Sequence, residues 1–384
     1  MTIAQVGPYP LSEDCIRGGI ESSVFGLTKV LCLQHIVDVF DVPRIEGKDC
    51  GTRREMLTIH RYKNTGKYNQ DALQRADEVL RDIIAIHPDI VHIHGTGEYS
   101  AYIYRAIKHY GIKVVLTVHG LLHIEKKNML RRNPSLKHLY QYIIQSHTEF
   151  SLLDSAEHVI VDTEYVAEQI KDYFKSGKIA HLPWMYVIPQ GIHEDFLHIN
   201  SNPQTKTILS VGSISRRKGH LYLLRAFEQV CRAHPSVQLI IAGTLSEPEY
   251  LKQMQSYIAS SVYGEQMHLF TNLTQDKLLT LYGKASIFAL HSQEESQGIV
   301  LAEAMAAGLP IVSTTVGGIP YVVQHNKTGL LSPFGDVNKF AQSLSTLLSN
   351  EQLRQSMAAA AHEDAKHYIW HNIELTIETM YNRL

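Results

Sequence analysis

The alternation of short apolar runs with amphipathic stretches limits this chain to an α/β fold. Candidate strands occupy residues 3–6, 36–40, 57–60, 90–93, 114–118 and 158–161, and helical patterns fill the gaps at 19–33, 70–86 and 136–153. A second series of candidate strands follows at 207–212, 238–242, 267–270, 287–290 and 311–313. Strands that alternate with helices form a parallel sheet covered by helices. Two such series predict two Rossmann-like domains.

The length of the chain agrees with two domains of ordinary size. Its 384 residues exceed what one hydrophobic core usually serves. The segment Val187-Ile188-Pro189-Gln190-Gly191 carries Pro and Gly at the end of the first series, which favours an interdomain linker. We therefore predict an N-terminal domain over residues 1–188 and a second domain over 189–364, followed by terminal helices.

Composition and charge exclude several classes of protein. Hydrophobic residues make up 44% and charged residues 19%, which is typical of a globular chain. The formal net charge of -2 gives no general attraction to nucleic acid or to anionic membranes. Four isolated cysteines argue against a zinc site and a disulfide framework, and so favour a reducing cytoplasm; they are Cys15, Cys32, Cys50 and Cys231.

Targeting signals are not predicted either. The N-terminus reads as a first strand rather than a signal peptide, and no apolar run approaches the roughly eighteen residues that a membrane span needs. We expect a cytoplasmic protein that is soluble or peripheral at the cytoplasmic face of a membrane.

Two carboxylates, Glu295 and Glu303, are separated by seven residues around a predicted helix start. A strand at 285–290 precedes them, and apolar spacing predicts a helix at 298–307. The first N–H groups of a helix and its positive end favour a diphosphate. Here they belong to Gly298, Ile299 and Val300. Glu295 would face this site from the loop, and Glu303 could accept hydrogen bonds from a diol such as a ribose. The alternative is structural, because acids favour helix N-termini.

A basic loop follows the first strand of the second series. Gly212 permits close backbone approach, and cations can neutralise a diphosphate leaving group; the cations are Arg216, Arg217 and Lys218. A solvated basic turn is the alternative. The spacing is not that of a nucleotide-hydrolysing P-loop.

The first half of the chain offers two further candidates. Gly18 and Gly19 follow the first strand, where adjacent glycines let backbone N–H groups approach a sugar or an anion, although such a pair also forms ordinary turns. The spacing is not G-x-G-x-x-G, which disfavours a dinucleotide dehydrogenase. His119 ends a strand in Leu116-Thr117-Val118-His119-Gly120, where open α/β sheets bind ligands. A lone histidine is more often structural, and His94 is interpreted in that way.

These segments together resemble the retaining glycosyltransferases of the GT-B fold that carry an E-x7-E motif, the glycosyl transferases of group 1 and family 4. The resemblance implies two Rossmann-like domains facing a central cleft, with a C-terminal helix at 365–384 crossing back to the first domain. It implies that Glu295 and His119 face the transferred sugar, that Glu303 binds the ribose and that Lys218 grips the phosphates. Glu295, His119 and Lys218 are the predicted catalytic residues. Gly18 and Gly19 would contact the donor.

The sequence departs from the family at four of its motifs. Ser213 stands where the family has the phosphate-binding Arg, so Arg216 or Arg217 would replace that charge. Ser296-Gln297 stand in place of Gly-Phe, and two further single substitutions are Gln190 for Asn and Tyr321 for Glu. The resemblance is thin at 42–89 and 123–157, where acceptor specificity is expected to reside.

We therefore predict a retaining, metal-independent enzyme without a cofactor. It would move a sugar from a UDP-sugar, or from GDP-mannose, to a hydroxyl of a saccharide or lipid-linked saccharide in cell-surface polysaccharide synthesis. Two alternatives remain open at this point. A sugar-nucleotide epimerase shares the fold and needs no acceptor, and a non-catalytic partner subunit would bind the nucleotide sugar without turnover.

A local cluster of cations predicts contact with an anionic membrane. Residues 123–138 hold one acid, Glu125, and five cations, Lys126, Lys127, Arg131, Arg132 and Lys137. Each cation near anionic lipid can contribute about 1 kcal/mol. A solvated loop and helix start would explain the cluster equally simply.

Overall fold

The computed structural model describes residues 1–13, 16, 18–41, 50–62, 70–199 and 206–384. In these ranges the chain forms two compact units. The first comprises Met1–Leu11, Gly19–Gln190 and Trp370–Leu384, and the second comprises Ser12–Gly18 and Gly191–Ile369. The units thus change after Gln190 and again after Ile369, where the sequence suggested 188 and 364.

The first unit contains, within the described residues, an eight-stranded sheet. Its strands are β1 (Thr2–Gly7), β2 (Ile36–Asp41), β3 (Cys50–Arg54), β4 (Leu57–Arg61), β5 (Ile90–His94), β6 (Lys113–Val118), β7 (His158–Val161) and β8 (Trp184–Val187). They lie in the order β3-β4-β2-β1-β5-β6-β7-β8. All neighbours pair in parallel except β3, which is antiparallel to β4. β5 is buried at every residue, as expected for a strand covered by helices on both faces.

Helices fill the connections of the first unit. They are α1 (Gly19–Leu31), α2 (Gln70–Ala85), α3 (Glu98–Lys108), α4 (Leu122–Arg132), α5 (Leu136–Ser155) and α6 (Glu164–Lys175). The break between α4 and α5 follows from Pro134, which disfavours helical backbone at the residue before it. Ser135 then caps α5, since its Oγ accepts the N–H of His138 at 3.1 Å.

The second unit holds, in the described part of the chain, a six-stranded parallel sheet in the order β11-β10-β9-β12-β13-β14. Its strands are β9 (Thr207–Val211), β10 (Gln238–Gly243), β11 (Met267–Thr271), β12 (Ile287–Leu290), β13 (Ile311–Thr314) and β14 (Gly329–Ser332). Its helices are α7 (His220–Ala233), α8 (Pro248–Ser260), α9 (Gln275–Lys284), α10 (Ile299–Ala306), α11 (Ile319–Val322), α12 (Val337–Ser349) and α13 (Glu351–Ala365). The strand order reverses between β9 and β12, and open α/β sheets bind ligands at such a switch point.

The last helix, α14 (Trp370–Tyr381), belongs to the first unit. It packs on α1, where a Cβ atom at Gly26 would lie 1.9 Å from Nε1 of Trp370. Only glycine therefore fits at this crossing. At the other end of α14, the Tyr381 hydroxyl and His92 Nδ1 form a hydrogen bond of 2.6 Å. The α/β class and the return of the final helix, both predicted from the sequence, are confirmed.

None of the helices in the described ranges combines the length and hydropathy that crossing a bilayer requires.

Candidate functional site

Two loops of the second unit meet at the switch point of its sheet. The 3₁₀ turn Arg216–Lys218 follows β9, and Glu295 lies in the loop between β12 and α10. Lys218 Nζ donates to Glu295 Oε1 at 2.5 Å, although the two residues are 77 positions apart in the chain. Both residues are buried, since only 8% of the surface of Lys218 and 4% of the surface of Glu295 is exposed. The fold thus brings the two predicted loops into one ion pair.

The carboxylate of Glu295 is held from three sides. Besides Lys218, the Ser292 hydroxyl donates to Oε1 at 2.6 Å, and Arg217 Nη1 lies 3.4 Å from Oε2. Burial alone would favour the protonated acid, but the Lys218 and Arg217 cations outweigh it and hold the pKa of Glu295 below its usual value. Glu295 is therefore ionised at neutral pH. Sequence reasoning missed Ser292, whose only signal is its position three residues before the acid.

The backbone around Glu295 is fixed as well. The N–H of Gly318 donates to the carbonyl of Glu295 at 2.8 Å. Gly317 has φ +53°, and a Cβ atom there would lie 2.1 Å from the same carbonyl oxygen. Arg217 holds the other side of the loop with two hydrogen bonds. Its carbonyl accepts the N–H of Gln293 at 2.8 Å, and its Nη1 donates to the carbonyl of Glu294 at 3.0 Å. The protein's own contacts therefore fix the position of this loop.

The N-terminus of α10 opens beside this loop. Gly298 is its N-cap residue with φ +80°, and as a glycine it supplies no side-chain cap. The N–H groups at the start of a helix have no partner within the helix. Those of Ile299 and Val300 therefore suit an anion. The helix begins one residue later than predicted, because Gly298 has left-handed backbone.

Glu303 lies farther along α10. Its Oε2 accepts a hydrogen bond of 3.0 Å from the Tyr282 hydroxyl at the end of α9. Burial raises the pKa of Glu303 to about 7, although the Tyr282 hydrogen bond and Lys218 oppose the shift. A ligand that donates hydrogen bonds to this carboxylate would favour its ionised form. Tyr282 carries no sequence signal for such a partnership.

The two arginines of the basic loop differ in placement. Arg217 contacts Glu295, whereas Arg216 extends towards α8, where its Nη1 donates to Gln253 Oε1 at 2.9 Å and its Nε lies 3.5 Å from Glu247 Oε2. Gly212 lies against the Lys218 side chain, since a Cβ atom there would be 3.4 Å from Lys218 Cε. Arg217 is thus the cation that accompanies Lys218.

Three stacked histidines lie on and just after two central strands of the first unit. His92 and His94 belong to β5, and His119 follows β6. His94 stacks on His92 with ring centroids 4.2 Å apart, and on His119 with centroids 5.3 Å apart. His94 Nδ1 and His119 Nε2 are 3.1 Å apart. Burial lowers the pKa of His119 to about 3. His119 is therefore neutral at pH 7 and can exchange hydrogen bonds without contributing charge.

Asp162 lies on the other side of His119, with its Oδ1 3.9 Å from Nδ1 of the ring. Gln190 Nε2 donates to Asp162 Oδ2 at 2.6 Å, so the residue that replaces the family's Asn supports this carboxylate. Gly18 and Gly19 are exposed at the start of α1. Arg17, which precedes them, lies outside the described residues, as do 42–49 and 63–69 of the predicted acceptor region.

In the described ranges, no group of three or more His, Cys, Asp and Glu side chains is arranged to hold a metal ion.

Two family models match consecutive parts of the chain. The model described as Glycosyltransferase Family 4 matches residues 17–196, and the model described as Glycosyl transferases group 1 matches residues 192–364. The chain belongs to the group 1 glycosyltransferases. The second match contains Lys218, Glu295 and Glu303, and the first contains His119.

Individual relatives of this group 1 glycosyltransferase are distant. N-acetyl-alpha-D-glucosaminyl L-malate synthase of Bacillus anthracis is 28% identical over 287 residues, which cover 72% of this chain and 69% of that protein. The gpi3 subunit of phosphatidylinositol N-acetylglucosaminyltransferase of Schizosaccharomyces pombe is 24% identical over 378 residues, covering 96% and 78%. The structure of HepE from Anabaena in complex with UDP-glucose is 18% identical, with a TM-score of 0.76 and all of both chains covered. The predicted GT-B fold is confirmed.

Proposed function

We propose that the chain transfers a sugar from a nucleotide diphosphate sugar to an acceptor hydroxyl with retention of configuration. The buried pair of Lys218 and Glu295 carries this proposal. It supplies a cation and an ordered carboxylate beside the N-terminus of α10, with Arg217 at 3.4 Å from the same carboxylate. Such a site can stabilise a departing diphosphate electrostatically.

The proposed step conserves atoms and charge within donor and acceptor. The bond between the sugar's anomeric carbon and the diphosphate oxygen breaks, and the electron pair leaves with the diphosphate. The acceptor oxygen bonds to the same face of that carbon, and its proton passes to the departing phosphate. Lys218, Arg217 and the α10 N-terminus stabilise the charge that develops, while Glu295 orients the sugar and Glu303 the ribose.

His119 would bind the transferred sugar from the first unit. Its neutral imidazole suits hydrogen bonding to a sugar hydroxyl rather than stabilisation of a phosphate. Gly18 and Gly19 would contact the donor through their backbone.

We propose a UDP-sugar as the donor and a saccharide or lipid-linked saccharide as the acceptor. The donor choice is supported by HepE, whose complex contains UDP-glucose. The names of the two relatives describe glucosaminyl compounds joined to malate and to phosphatidylinositol, so acceptors in this family include both a small acid and a lipid. Cytoplasmic synthesis of a cell-surface polysaccharide is the setting that we propose.

The direct test of this function is product analysis by NMR. The purified chain is incubated with single UDP-sugars and a panel of saccharide acceptors, and the anomeric configuration of each product is determined. A product that keeps the donor's configuration is expected. Formation of an isomerised nucleotide sugar without acceptor would instead show that the chain is an epimerase. Tight donor binding without any product would indicate a non-catalytic binding subunit.

Donor binding is expected to be independent of metal ions. The charges that would face the diphosphate come from Lys218, Arg217 and the start of α10, so no bridging cation is needed. Calorimetric titration with a UDP-sugar should give the same Kd with EDTA as with added Mg²⁺ or Mn²⁺. Loss of binding and turnover after chelation, with recovery on adding metal, would contradict this prediction.

Donor affinity is expected to rise with pH between 6 and 8. The pKa of Glu303 is about 7, and a ribose diol donates to the ionised form, so binding releases a proton. If only the ionised form binds, the affinity at pH 6 is about tenfold weaker than at pH 8. A UDP-sugar is the right probe, because its diphosphate does not titrate in this range. Glu303→Gln should bind more weakly and show a flat profile; a sloping profile in that variant would assign the titration to another group.

A further inference from the structure

The first half of α5 carries an exposed apolar stripe. Leu136, Leu139, Tyr140 and Ile143 expose 86%, 41%, 67% and 54% of their surface. At 3.6 residues per turn they span only about 100° of the helix circumference. The buried residues of α5 occupy the adjoining part of the circumference and not the stripe itself; they are Ser146, Glu149, Leu152 and Leu153. The stripe is therefore not what holds α5 in the unit.

Cations border this stripe, but not all those that the sequence suggested. Lys127 and Arg131 are exposed one turn apart on α4, and Lys137 is exposed at the start of α5. Lys126 differs, because only 15% of its side chain is exposed and its Nζ lies 2.8 Å from Glu125 Oε1. Its charge is neutralised locally, and Arg132 is only partly exposed, so three of the five predicted cations are exposed here.

The charge of this face has one sign. No Asp or Glu occurs between Glu125 and Glu149. Glu149 is buried, and its carboxylate accepts the N–H of Leu122 at 2.5 Å at the start of α4. Arg131 and Leu136 are five residues apart, which keeps their Cα atoms within about 18 Å. Because α4 packs directly against α5, the exposed cations and the apolar stripe lie on two neighbouring helices, and their exposed side chains are called the α4–α5 face.

We propose that the α4–α5 face docks onto a bilayer that contains anionic lipid. Leu136, Leu139, Tyr140 and Ile143 enter the interfacial layer, while Lys127, Arg131 and Lys137 contact the headgroups. Aliphatic side chains with a tyrosine among cations suit this layer, since tyrosine is favoured at membrane interfaces and basic amphipathic helices lie in them.

The docking surface deepens the proposed function by naming where a lipid-linked acceptor is reached, and in this it rests on that function. α4 begins at Leu122, three residues after His119, within the same unit. A bilayer bound at this face would present its headgroup layer to the unit that carries His119.

The test is cosedimentation of the full chain with vesicles of phosphatidylcholine, with and without phosphatidylglycerol, at low and high salt. Binding should require phosphatidylglycerol and fall with salt. The triple variant Lys127→Gln, Arg131→Gln, Lys137→Gln should weaken binding on the order of a hundredfold at low salt. The variant Leu136→Ser, Tyr140→Ser, Ile143→Ser should lose the binding that persists at high salt.

Two control variants remove exposed cations and exposed apolar side chains outside the α4–α5 face. Lys171, Lys252 and Lys277 are exposed cations outside the face, to be changed to Gln. Leu33 and Val262 expose 74% and 90% of their surface and are to be changed to Ser. Both control variants should bind vesicles like the wild type, because neither touches α4 or α5.

Three outcomes would overturn the docking surface. The first is wild-type binding that does not depend on phosphatidylglycerol, and the second is binding of the face variants that equals that of the wild type. The third is a wild-type dimer in solution that the apolar substitutions dissociate, with no vesicle binding by the wild type or by the apolar variant. Titration with a UDP-sugar separates this test from the proposed function. Failure of every protein to bind the nucleotide, with the expected vesicle results, would refute the function and leave the surface standing.

Discussion

Lys218→Ala is expected to lower kcat by about 10²- to 10³-fold. Removing one preorganised donor to a developing anion costs roughly 2.7–4 kcal/mol in comparable sites, and Lys218 is the buried cation at 2.5 Å from Glu295. Affinity for the diphosphate should fall in the same variant. Initial rates at saturating UDP-sugar measure the first effect, and calorimetry measures the second.

Arg216→Ala is the matched control for this variant. Arg216 lies in the same 3₁₀ turn but pairs with Glu247 on the exposed surface, and surface pairs contribute at most about 1 kcal/mol. Its kcat should stay within a few-fold of the wild type. Circular dichroism separates loss of chemistry from loss of fold in both variants. Equal effects of the two substitutions would remove Lys218 from the phosphate site.

Gly317→Ala is expected to abolish donor binding. A Cβ atom at this position would lie 2.1 Å from the carbonyl oxygen of Glu295, with φ at +53°. Since the obstacle is backbone, the Glu295 loop itself must move, and its carboxylate moves with it. Overpacking of this kind costs about 1–3 kcal/mol, and left-handed backbone adds about 1–2 kcal/mol for a residue with a Cβ atom.

Gly335→Ala isolates the backbone cost from the clash. Gly335 lies in the same unit with φ +85°, and a Cβ atom there meets nothing within 4 Å. The Gly335→Ala variant should have a free energy of unfolding only about 1–2 kcal/mol lower than the wild type and the same donor affinity. Denaturant unfolding measures the stability of both variants, and calorimetry measures their donor affinity. Normal affinity in Gly317→Ala would mean that the fixed Glu295 loop is not needed for binding.

Periodicity predicted the buried strands well and the edge strands poorly. β5 and β9 are buried at every residue and were predicted, because a strand that is covered on both faces is mostly apolar. β3, β8 and β14 were missed. β3 reads Cys-Gly-Thr-Arg-Arg and lies at a sheet edge, and β8 at the opposite edge exposes 75% of Trp184. At an edge, pairing with one neighbour forms the strand, and this leaves little pattern in the sequence.

Residue patterns alone predicted the site in parts, and only the resemblance to the family placed the Lys218 loop and the Glu295 loop at one donor site. The strand order that brings the two loops together is a long-range property. The choice between Arg216 and Arg217 depends on side-chain directions around a 3₁₀ turn, which adjacent positions cannot encode. Likewise, Tyr282 reaches Glu303 from another helix, and no local spacing relates the two.

Thermal unfolding with a panel of nucleotides tests the central claim most directly, because a ligand that binds the folded chain raises its Tm. The panel contains UDP-sugars, GDP-mannose, ATP and NAD, with wild type and Glu303→Ala run together. We expect a UDP-sugar to raise the Tm of the wild type and to lose most of this effect in Glu303→Ala, with no rise from ATP or NAD. A panel in which no nucleotide sugar stabilises the wild type, or in which ATP or NAD does so equally, would contradict a nucleotide-sugar site at Lys218, Glu295 and Glu303.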